Sequence, residues 1–217
     1  MQTEDYTKKM KENNQIVIDI ETYANMEVLD ILPEPSIDSR LKDPEKVEAA
    51  QAEARAKQID KMALSPLTGK IACIGFYNLD VKQVLFADSE KELLDTFWQF
   101  AEYKTLVTYN GKLFDVPFIF KRGIILGCEW ATITNMKRFT DRYKSEKHID
   151  LMAEFCNFGE YEKLDTLAKF ILGEGKIDFD FKQIPELMKT PEGRLQIEEY
   201  CLRDCEITWK LAKRMGY

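Results

Sequence analysis

The chain lacks the residues on which several large enzyme classes depend. Its 217 residues contain a single histidine, His148, and five cysteines that form no CxxC pair. Zinc sites built on several histidines are therefore excluded. No uninterrupted apolar stretch approaches the roughly 20 residues of a membrane-spanning helix, and the polar N-terminus lacks the apolar core of a signal peptide. We expect a cytoplasmic protein with reduced cysteines and no membrane partner.

The chain also lacks an excess of positive charge. Its formal net charge is −7, from 31 basic and 38 acidic residues, which argues against broad electrostatic adhesion to nucleic acid. An enzyme that acts on nucleic acid is still compatible with this charge, because divalent cations add positive charge where carboxylates hold them. With 45% hydrophobic residues, the chain is able to bury a full core. We expect one domain over residues 1–217, with an insertion at 26–68.

Four carboxylates interrupt apolar patterns that are otherwise typical of buried core. They are Asp19, Glu21, Asp115 and Asp204. A lone ionised carboxylate in apolar surroundings is unfavourable unless it is neutralised, paired or bound to a metal. Four such residues on three separate elements suggest one shared cation site.

The first two acids lie on a predicted strand. Residues 15–21 are rich in Ile and Val, and alternation along a strand places the side chains of Asp19 and Glu21 on the same face. Two adjacent carboxylates repel one another in an apolar setting unless a cation lies between them. Taken alone, the pair is also explained by a strand end that emerges into water.

The last acid lies in the core-facing stripe of a predicted helix that runs from about residue 191 to 214. Apolar and aromatic residues recur along one helical face together with this acid: Ile197, Tyr200, Asp204, Ile207 and Leu211. Tyr200 and Asp204 are four residues apart and are therefore neighbours on the helix. A Tyr–Asp hydrogen bond inside the core is the alternative explanation.

The remaining acid, Asp115, precedes a helix predicted over 115–125. An N-cap is its simplest role, but a helix start just beyond a strand end is also where ligands gather in α/β sheets. The predicted strand before it covers 105–109.

The other segments predict a mixed sheet flanked by helices in an α/β fold. Strands at 70–77 and 83–86 form a hairpin, and helices cover 89–102 and 163–172. Within the insertion, a helix from Asp43 to about residue 64 has only a weak apolar stripe. We interpret it as a solvated helix in preference to a lid over the site.

Three ordered motifs resemble those of the DEDD superfamily of 3′-5′ exonucleases, which has a ribonuclease H-like fold. The resemblance is greatest to the stand-alone group related to the exonuclease domain of family B DNA polymerases. Tyrosine four residues before the last aspartate marks the DEDDy subtype. The motifs are Asp19-Ile-Glu21-Thr22, Asn110-Gly-Lys-Leu-Phe114-Asp115-Val-Pro117-Phe118 and Tyr200-Cys-Leu-Arg-Asp204. The chain departs from the family at Phe181, where glycine is expected.

The resemblance implies a 3′-5′ exonuclease that acts on single-stranded nucleic acid, with DNA favoured over RNA, and that releases nucleoside 5′-monophosphates. It implies two divalent cations, Mg²⁺ or Mn²⁺, held by the four acids, and a water-orienting role for Tyr200. Substrate contacts are expected from Thr22, Asn110 and Phe114. An inactive nucleic-acid-binding module of the same fold and a ribonuclease H-like endonuclease stay open as alternatives.

Overall fold

A five-stranded mixed sheet forms the centre of the protein. The computed structural model describes residues 14–141, 147–157 and 159–217. The strand order is β3-β2-β1-β4-β5, in which β1, β2 and β3 are antiparallel neighbours and β4 and β5 run parallel to β1. The strands are β1 (Gln15–Ala24), β2 (Gly69–Tyr77), β3 (Lys82–Leu85), β4 (Thr105–Thr108) and β5 (His148–Asp150).

Helices connect the strands and complete the chain. The α-helices are α1 (Pro44–Met62), α2 (Glu90–Ala101), α3 (Asp115–Leu126), α4 (Glu129–Ile133), α5 (Lys137–Thr140), α6 (Leu151–Phe155), α7 (Leu164–Leu172), α8 (Ile184–Leu187) and α9 (Pro191–Arg214). Two further segments, Met26–Ile31 and Phe181–Gln183, are 3₁₀-helices. In the described ranges, no helix has both the length and the apolar character needed to cross a bilayer.

Both faces of the sheet are covered by helices, as the sequence predicts. On one face, Ile16 and Ile18 of β1 belong to a core cluster with Phe97 of α2 and Ile119 of α3. On the other face, Val17 belongs to a cluster with residues of α9. Since side chains alternate along a strand, the odd-numbered residues of β1 face α9.

A glycine lets α9 approach the sheet closely. Gly75 of β2 pairs with Asp19 of β1 in the sheet register. A Cβ atom at this position would lie 2.6 Å from the Cys201 sulfur and 2.7 Å from the Cys205 sulfur, well inside van der Waals contact. The small residue therefore brings α9 next to the part of β1 that carries acidic side chains. Both cysteines are free thiols, as expected.

The segment 26–68, which the sequence predicts to be an insertion, is anchored to the core at its C-terminal end. Asp43 caps α1 by accepting a hydrogen bond from the Glu45 amide, which confirms the predicted helix start. Most of α1 is exposed, but Met62 at its end is buried. Arg122 of α3 donates a 3.0 Å hydrogen bond to the carbonyl of Pro66, just beyond the helix. The entry to β2 is therefore held firmly against the core.

The stretch 137–148 contains five basic residues. A solvated surface loop is the more common role of such a stretch, and contact with the phosphate backbone is the alternative. The stretch lies only partly within the described residues. Residues 137–140 form α5, and Phe139 is buried. Residues 142–146 lie outside the described ranges, so the possibility that this stretch contacts phosphates stays untested.

The single histidine is buried between strands and helix. The Nδ1 atom of His148 lies 2.6 Å from the Phe139 carbonyl, and its Nε2 atom lies 2.7 Å from the Thr108 hydroxyl. A carbonyl only accepts, so Nδ1 carries the proton and Nε2 accepts from Thr108. Burial lowers the pKa of His148 to about 4. The neutral imidazole thus joins α5, β4 and β5.

This environment predicts a specific pH dependence of stability. The unfolded chain protonates His148 near pH 6.5, so between about pH 6.5 and 4 the unfolded state binds more protons and the folded state loses stability as the pH falls. At pH 7 we expect His148→Asn to lower the free energy of unfolding by about 1–3 kcal/mol, because the substitution disturbs two buried hydrogen bonds.

The difference in the free energy of unfolding between the wild type and His148→Asn should narrow as the pH falls from 6.5 to 4, because only the wild type has a buried imidazole that must stay neutral. Urea denaturation at several pH values measures it. A difference that stays constant over this range would contradict the assigned role of His148.

Candidate active site

A cavity of about 750 Å³ opens beside the last residues of β1 and the loop after β4, within the size range of small-ligand sites. All four predicted acids line it, together with the predicted tyrosine. The lining residues proposed from the sequence are Asp19, Glu21, Thr22, Asn110, Phe114, Asp115, Tyr200 and Asp204. The structure therefore brings every predicted site residue to the wall of one cavity.

The acids of β1 share one face, as the alternation predicts. Asp19 and Glu21 are odd-numbered residues like Val17, so they face α9. One carboxylate oxygen of each lies within 4.8 Å of the other and of the Cys201 sulfur. Burial raises the pKa of Asp19 well above its usual range, and the nearby acidic groups raise it further.

Asp115 does not occupy the N-cap position, which is the simplest role that the sequence suggests for it. It is the first residue of α3 and not its N-cap, a position that Phe114 occupies. Its Oδ1 atom accepts a 3.1 Å hydrogen bond from the Ile20 amide of β1, 95 residues away. The carboxylate thus ties the start of α3 to the strand that carries the first two acids. Burial raises its pKa to about 7.

Asp204 lies in the buried stripe of α9, as predicted. Its Oδ2 atom is 2.5 Å from the Lys176 ammonium. Its Oδ1 atom is buried and has no hydrogen-bond partner of good geometry in the described parts of the chain. Burial raises the pKa of Asp204, whereas the positive charge of Lys176 opposes that rise, and the Tyr200 hydroxyl is close enough to lower the pKa of this carboxyl as well. A buried carboxylate oxygen without a donor is unfavourable unless a ligand satisfies it.

Tyr200 is held by two aromatic rings. Phe179 stacks on it with a centroid distance of 4.7 Å, and Phe181 contacts it edge-on at 5.4 Å. Burial raises the pKa of Tyr200 far above its ordinary value, and the charge of Asp204 adds to the shift. The hydroxyl therefore keeps its proton at neutral pH. Phe181, where the resemblance leads us to expect glycine, forms part of the wall around this tyrosine.

The loop after β4 presents Asn110 in a left-handed conformation. Its φ is +65°, a region that Asn tolerates better than most residues. The Asn110 amide donates a 2.8 Å hydrogen bond to the Asp150 carboxylate. Its side-chain Oδ1 is buried and finds no partner among the residues described. This oxygen is available to a ligand in the cavity.

The other two predicted substrate contacts have additional partners. The Thr22 hydroxyl donates a 2.8 Å hydrogen bond to the Ala63 carbonyl at the end of α1, so only its oxygen lone pairs are left for a ligand. Phe114 lines the cavity and also packs on Phe118, with ring centroids 5.6 Å apart. Phe114 is therefore part of the cavity wall and is also packed against the core, and its expected contact with substrate stays a prediction.

The sequence alone did not assign two further residues to the site. Lys176 pairs with Asp204, and Asp150 accepts hydrogen bonds from the amides of Asn110 and Lys112. The segments His148-Ile-Asp150-Leu and Lys176-Ile-Asp-Phe-Asp-Phe181 each resemble a segment of the exonuclease family, and this resemblance is the only signal in the sequence for these two residues. A lysine in a loop and an aspartate on a three-residue strand have no periodicity that would assign them to the site.

The end of the insertion helix also lines the cavity. Ile59, Asp60 and Leu64 contribute to its wall, and Asp60 forms a 2.8 Å ion pair with Lys182. Lys182 belongs to the 3₁₀ segment that begins at Phe181, so the ion pair links two sides of the cavity. The interpretation of α1 as a solvated helix holds for its first turns, whereas its last turn is part of the site.

Comparison with known proteins gives consistent results. Residues 70–217 match a family described as a predicted 3′-5′ exonuclease related to the exonuclease domain of PolB. DNA polymerase 1 of Sulfolobus acidocaldarius is 33% identical over an alignment of 153 positions, and the alignment covers 63% of this chain and 16% of that protein. DNA polymerase 1 of Sulfurisphaera ohwakuensis is 27% identical over an alignment of 231 positions, gaps included, and the alignment covers 95% of this chain and 23% of that protein. The chain thus spans less than a quarter of the length of these relatives.

The structure is similar to a family B DNA polymerase from the archaeon Pyrobaculum calidifontis. The TM-score is 0.57 at 16% identity, and the similarity covers 93% of this chain and 24% of the polymerase. This likeness concerns the fold, and it confirms the predicted ribonuclease H-like arrangement. The family match extends over more than half of the chain and contains five of the eight predicted site residues: Asn110, Phe114, Asp115, Tyr200 and Asp204. The chain therefore belongs to the family of predicted 3′-5′ exonucleases related to the exonuclease domain of PolB.

Proposed function

We propose that the protein is a metal-dependent 3′-5′ exonuclease that hydrolyses phosphodiester bonds at the 3′ end of single-stranded DNA and releases nucleoside 5′-monophosphates. One observation carries the proposal: four carboxylates from β1, α3 and α9 line a single cavity together with Tyr200. Membership of the exonuclease family supports the direction of cutting.

The acids of the cavity suit divalent cations. Carboxylate oxygens are the ligands that Mg²⁺ and Mn²⁺ prefer, and the buried Asp204 Oδ1 has no hydrogen-bond partner of good geometry in the described chain. Asp19, Glu21, Asp115 and Asp204 would hold the two proposed cations. Such ions supply the Lewis acidity and positive charge that phosphodiester hydrolysis needs.

The uncharged polar side chains of the site then position the water and the substrate. Tyr200 keeps its proton, so its hydroxyl orients the attacking water by hydrogen bonding and does not accept a proton from it. The free Oδ1 of Asn110 and the lone pairs of Thr22 are suited to hydroxyl groups of the terminal sugar.

The walls of the cavity favour an unpaired terminal base. Phe114 offers an aromatic face on one side, while Ile59, Leu64 and Phe181 contribute apolar surface elsewhere. Aromatic faces stack on any base regardless of sequence. This apolar lining supports single-stranded ends as the substrate.

The first test removes one acid at a time. We expect Asp19→Asn and Asp204→Asn each to lower the rate of 3′ shortening of a 5′-labelled single-stranded DNA by at least about 100-fold in Mg²⁺ or Mn²⁺, because each substitution removes a negative charge that would hold the proposed cations. Glu199→Gln is a matched control, since this exposed acid lies on the same helix and should leave the rate unchanged.

The same assay separates the alternatives. A ladder that shortens from the 3′ end supports the proposal, and cutting of a circular single strand would indicate the endonuclease. Tight binding of the DNA without any metal-dependent cutting would indicate the binding module. An RNA of the same sequence, tested in parallel, decides the assignment of DNA as the substrate.

A second test concerns the tyrosine. Tyr200→Phe preserves the stack with Phe179 but removes the hydroxyl, so we expect turnover to fall about 10- to 100-fold through poorer orientation of water. Affinity for Mn²⁺ should change little, because the carboxylates are retained. Single-turnover kinetics and isothermal titration measure the two quantities, and unchanged turnover would remove the role assigned to Tyr200.

A further inference from the structure

The acidic cavity contains a positive charge supplied by the chain itself. The Lys176 ammonium lies 2.5 Å from Asp204 Oδ2, and the Lys176 side chain is only 27% exposed. The same ammonium lies 5.1 Å from the centre of the Tyr200 ring, a cation–π distance. Lys176 therefore contacts both the tyrosine and the last acid of the proposed metal site.

The backbone around Lys176 is fixed by several contacts. The Lys176 amide donates a 2.9 Å hydrogen bond to Asp165 of α7. The Arg203 side chain of α9 donates a 3.1 Å hydrogen bond to the Gly175 carbonyl and forms a 2.8 Å ion pair with Glu174. The lysine is thus presented by a segment anchored to two helices, at a defined position relative to Asp204.

Charge balance explains why a lysine belongs in this position. Four carboxylates converge on the cavity, and buried ionised acids without a counter-ion are strongly unfavourable. One ammonium compensates part of this charge when no cation is bound. The same ammonium repels a divalent cation and already contacts the carboxylate that the cation would need.

We propose that Lys176 is a built-in counter-ion of the active site, which stabilises Asp204 in the metal-free protein and thereby lowers the affinity of the carboxylates for divalent cations. Lys176 is in this sense a positioning residue, because it acts through Asp204 and holds that carboxylate in place until a cation competes for it. The inference rests on the proposed metal site.

Mn²⁺ binding without substrate tests the proposal. Lys176→Met retains the length and apolar stem of the side chain and removes its charge. We expect this variant to bind Mn²⁺ about tenfold more tightly than the wild type by isothermal titration, because a repelling charge near the site is removed. In EDTA its melting temperature should be lower than that of the wild type, and Mn²⁺ should restore more stability to it.

Two further variants serve as controls. Lys182→Met removes an equal charge from the wall of the same cavity, but this lysine pairs with Asp60, so its Mn²⁺ affinity should stay within about twofold of wild type. Lys176→Arg keeps the charge and should retain the affinity and the melting temperature of the wild type, which also guards against a failure of Lys176→Met to fold.

The outcomes separate this inference from the function on which it rests. Equal or weaker Mn²⁺ binding by Lys176→Met overturns the counter-ion role alone, as does an equal gain in Lys182→Met or in Lys176→Arg. If neither the wild type nor Lys176→Met binds Mn²⁺, the proposed metal site fails and the inference fails with it.

Discussion

The mutual repulsion of buried carboxylates is the constraint on which the rest of this structure depends. Burial raises the pKa values of Asp19, Glu21 and Asp204 above their ordinary range. Neighbouring negative charge raises those of Asp19 and Glu21 further, whereas the charge of Lys176 opposes the rise at Asp204. A protein gains nothing in stability from such an arrangement. The scaffold must hold these groups together against their repulsion, and a function that needs concentrated negative charge is the physical reason to do so.

A few local features of the fold hold the acids close together. Alternation along β1 directs two acids towards α9, and Gly75 lets that helix approach until its own acid enters the same cavity. The Ile20 amide of β1 fixes Asp115 through a hydrogen bond. The three elements are therefore tied to one another by packing and by the backbone, and the acids do not depend on mobile loops for their position.

The sequence predicted the parts of the site that follow from periodicity. Alternation placed Asp19 and Glu21 on one face, and the helical stripe placed Tyr200 and Asp204 in the core. Strand and helix positions were correct to within a few residues for the same reason, because burial imposes a period of two on strands and 3.6 on helices. The order of the strands in the sheet became clear only from the structure.

The contacts that the sequence did not reveal are those without a local pattern. The pairing of Lys176 with Asp204 joins residues 28 positions apart in a geometry that no period encodes. An N-cap was the simplest role for Asp115 beside its expected place in the cation site, because caps are local, yet its partner is a strand amide distant in sequence. The last turn of α1 reaches the cavity although its apolar stripe is weak, since the anchoring of the residues after it decides where the helix lies.

The most direct test of the proposal that the four acids share one cation site is to locate the cations themselves. A crystal of the wild-type protein soaked in Mn²⁺ allows an anomalous difference map to be calculated near the manganese edge. We expect anomalous density within coordination distance, about 2–2.3 Å, of carboxylate oxygens of Asp19 and Asp204. Density only at surface acids, or none in the cavity at a Mn²⁺ concentration that supports cutting, would contradict the account.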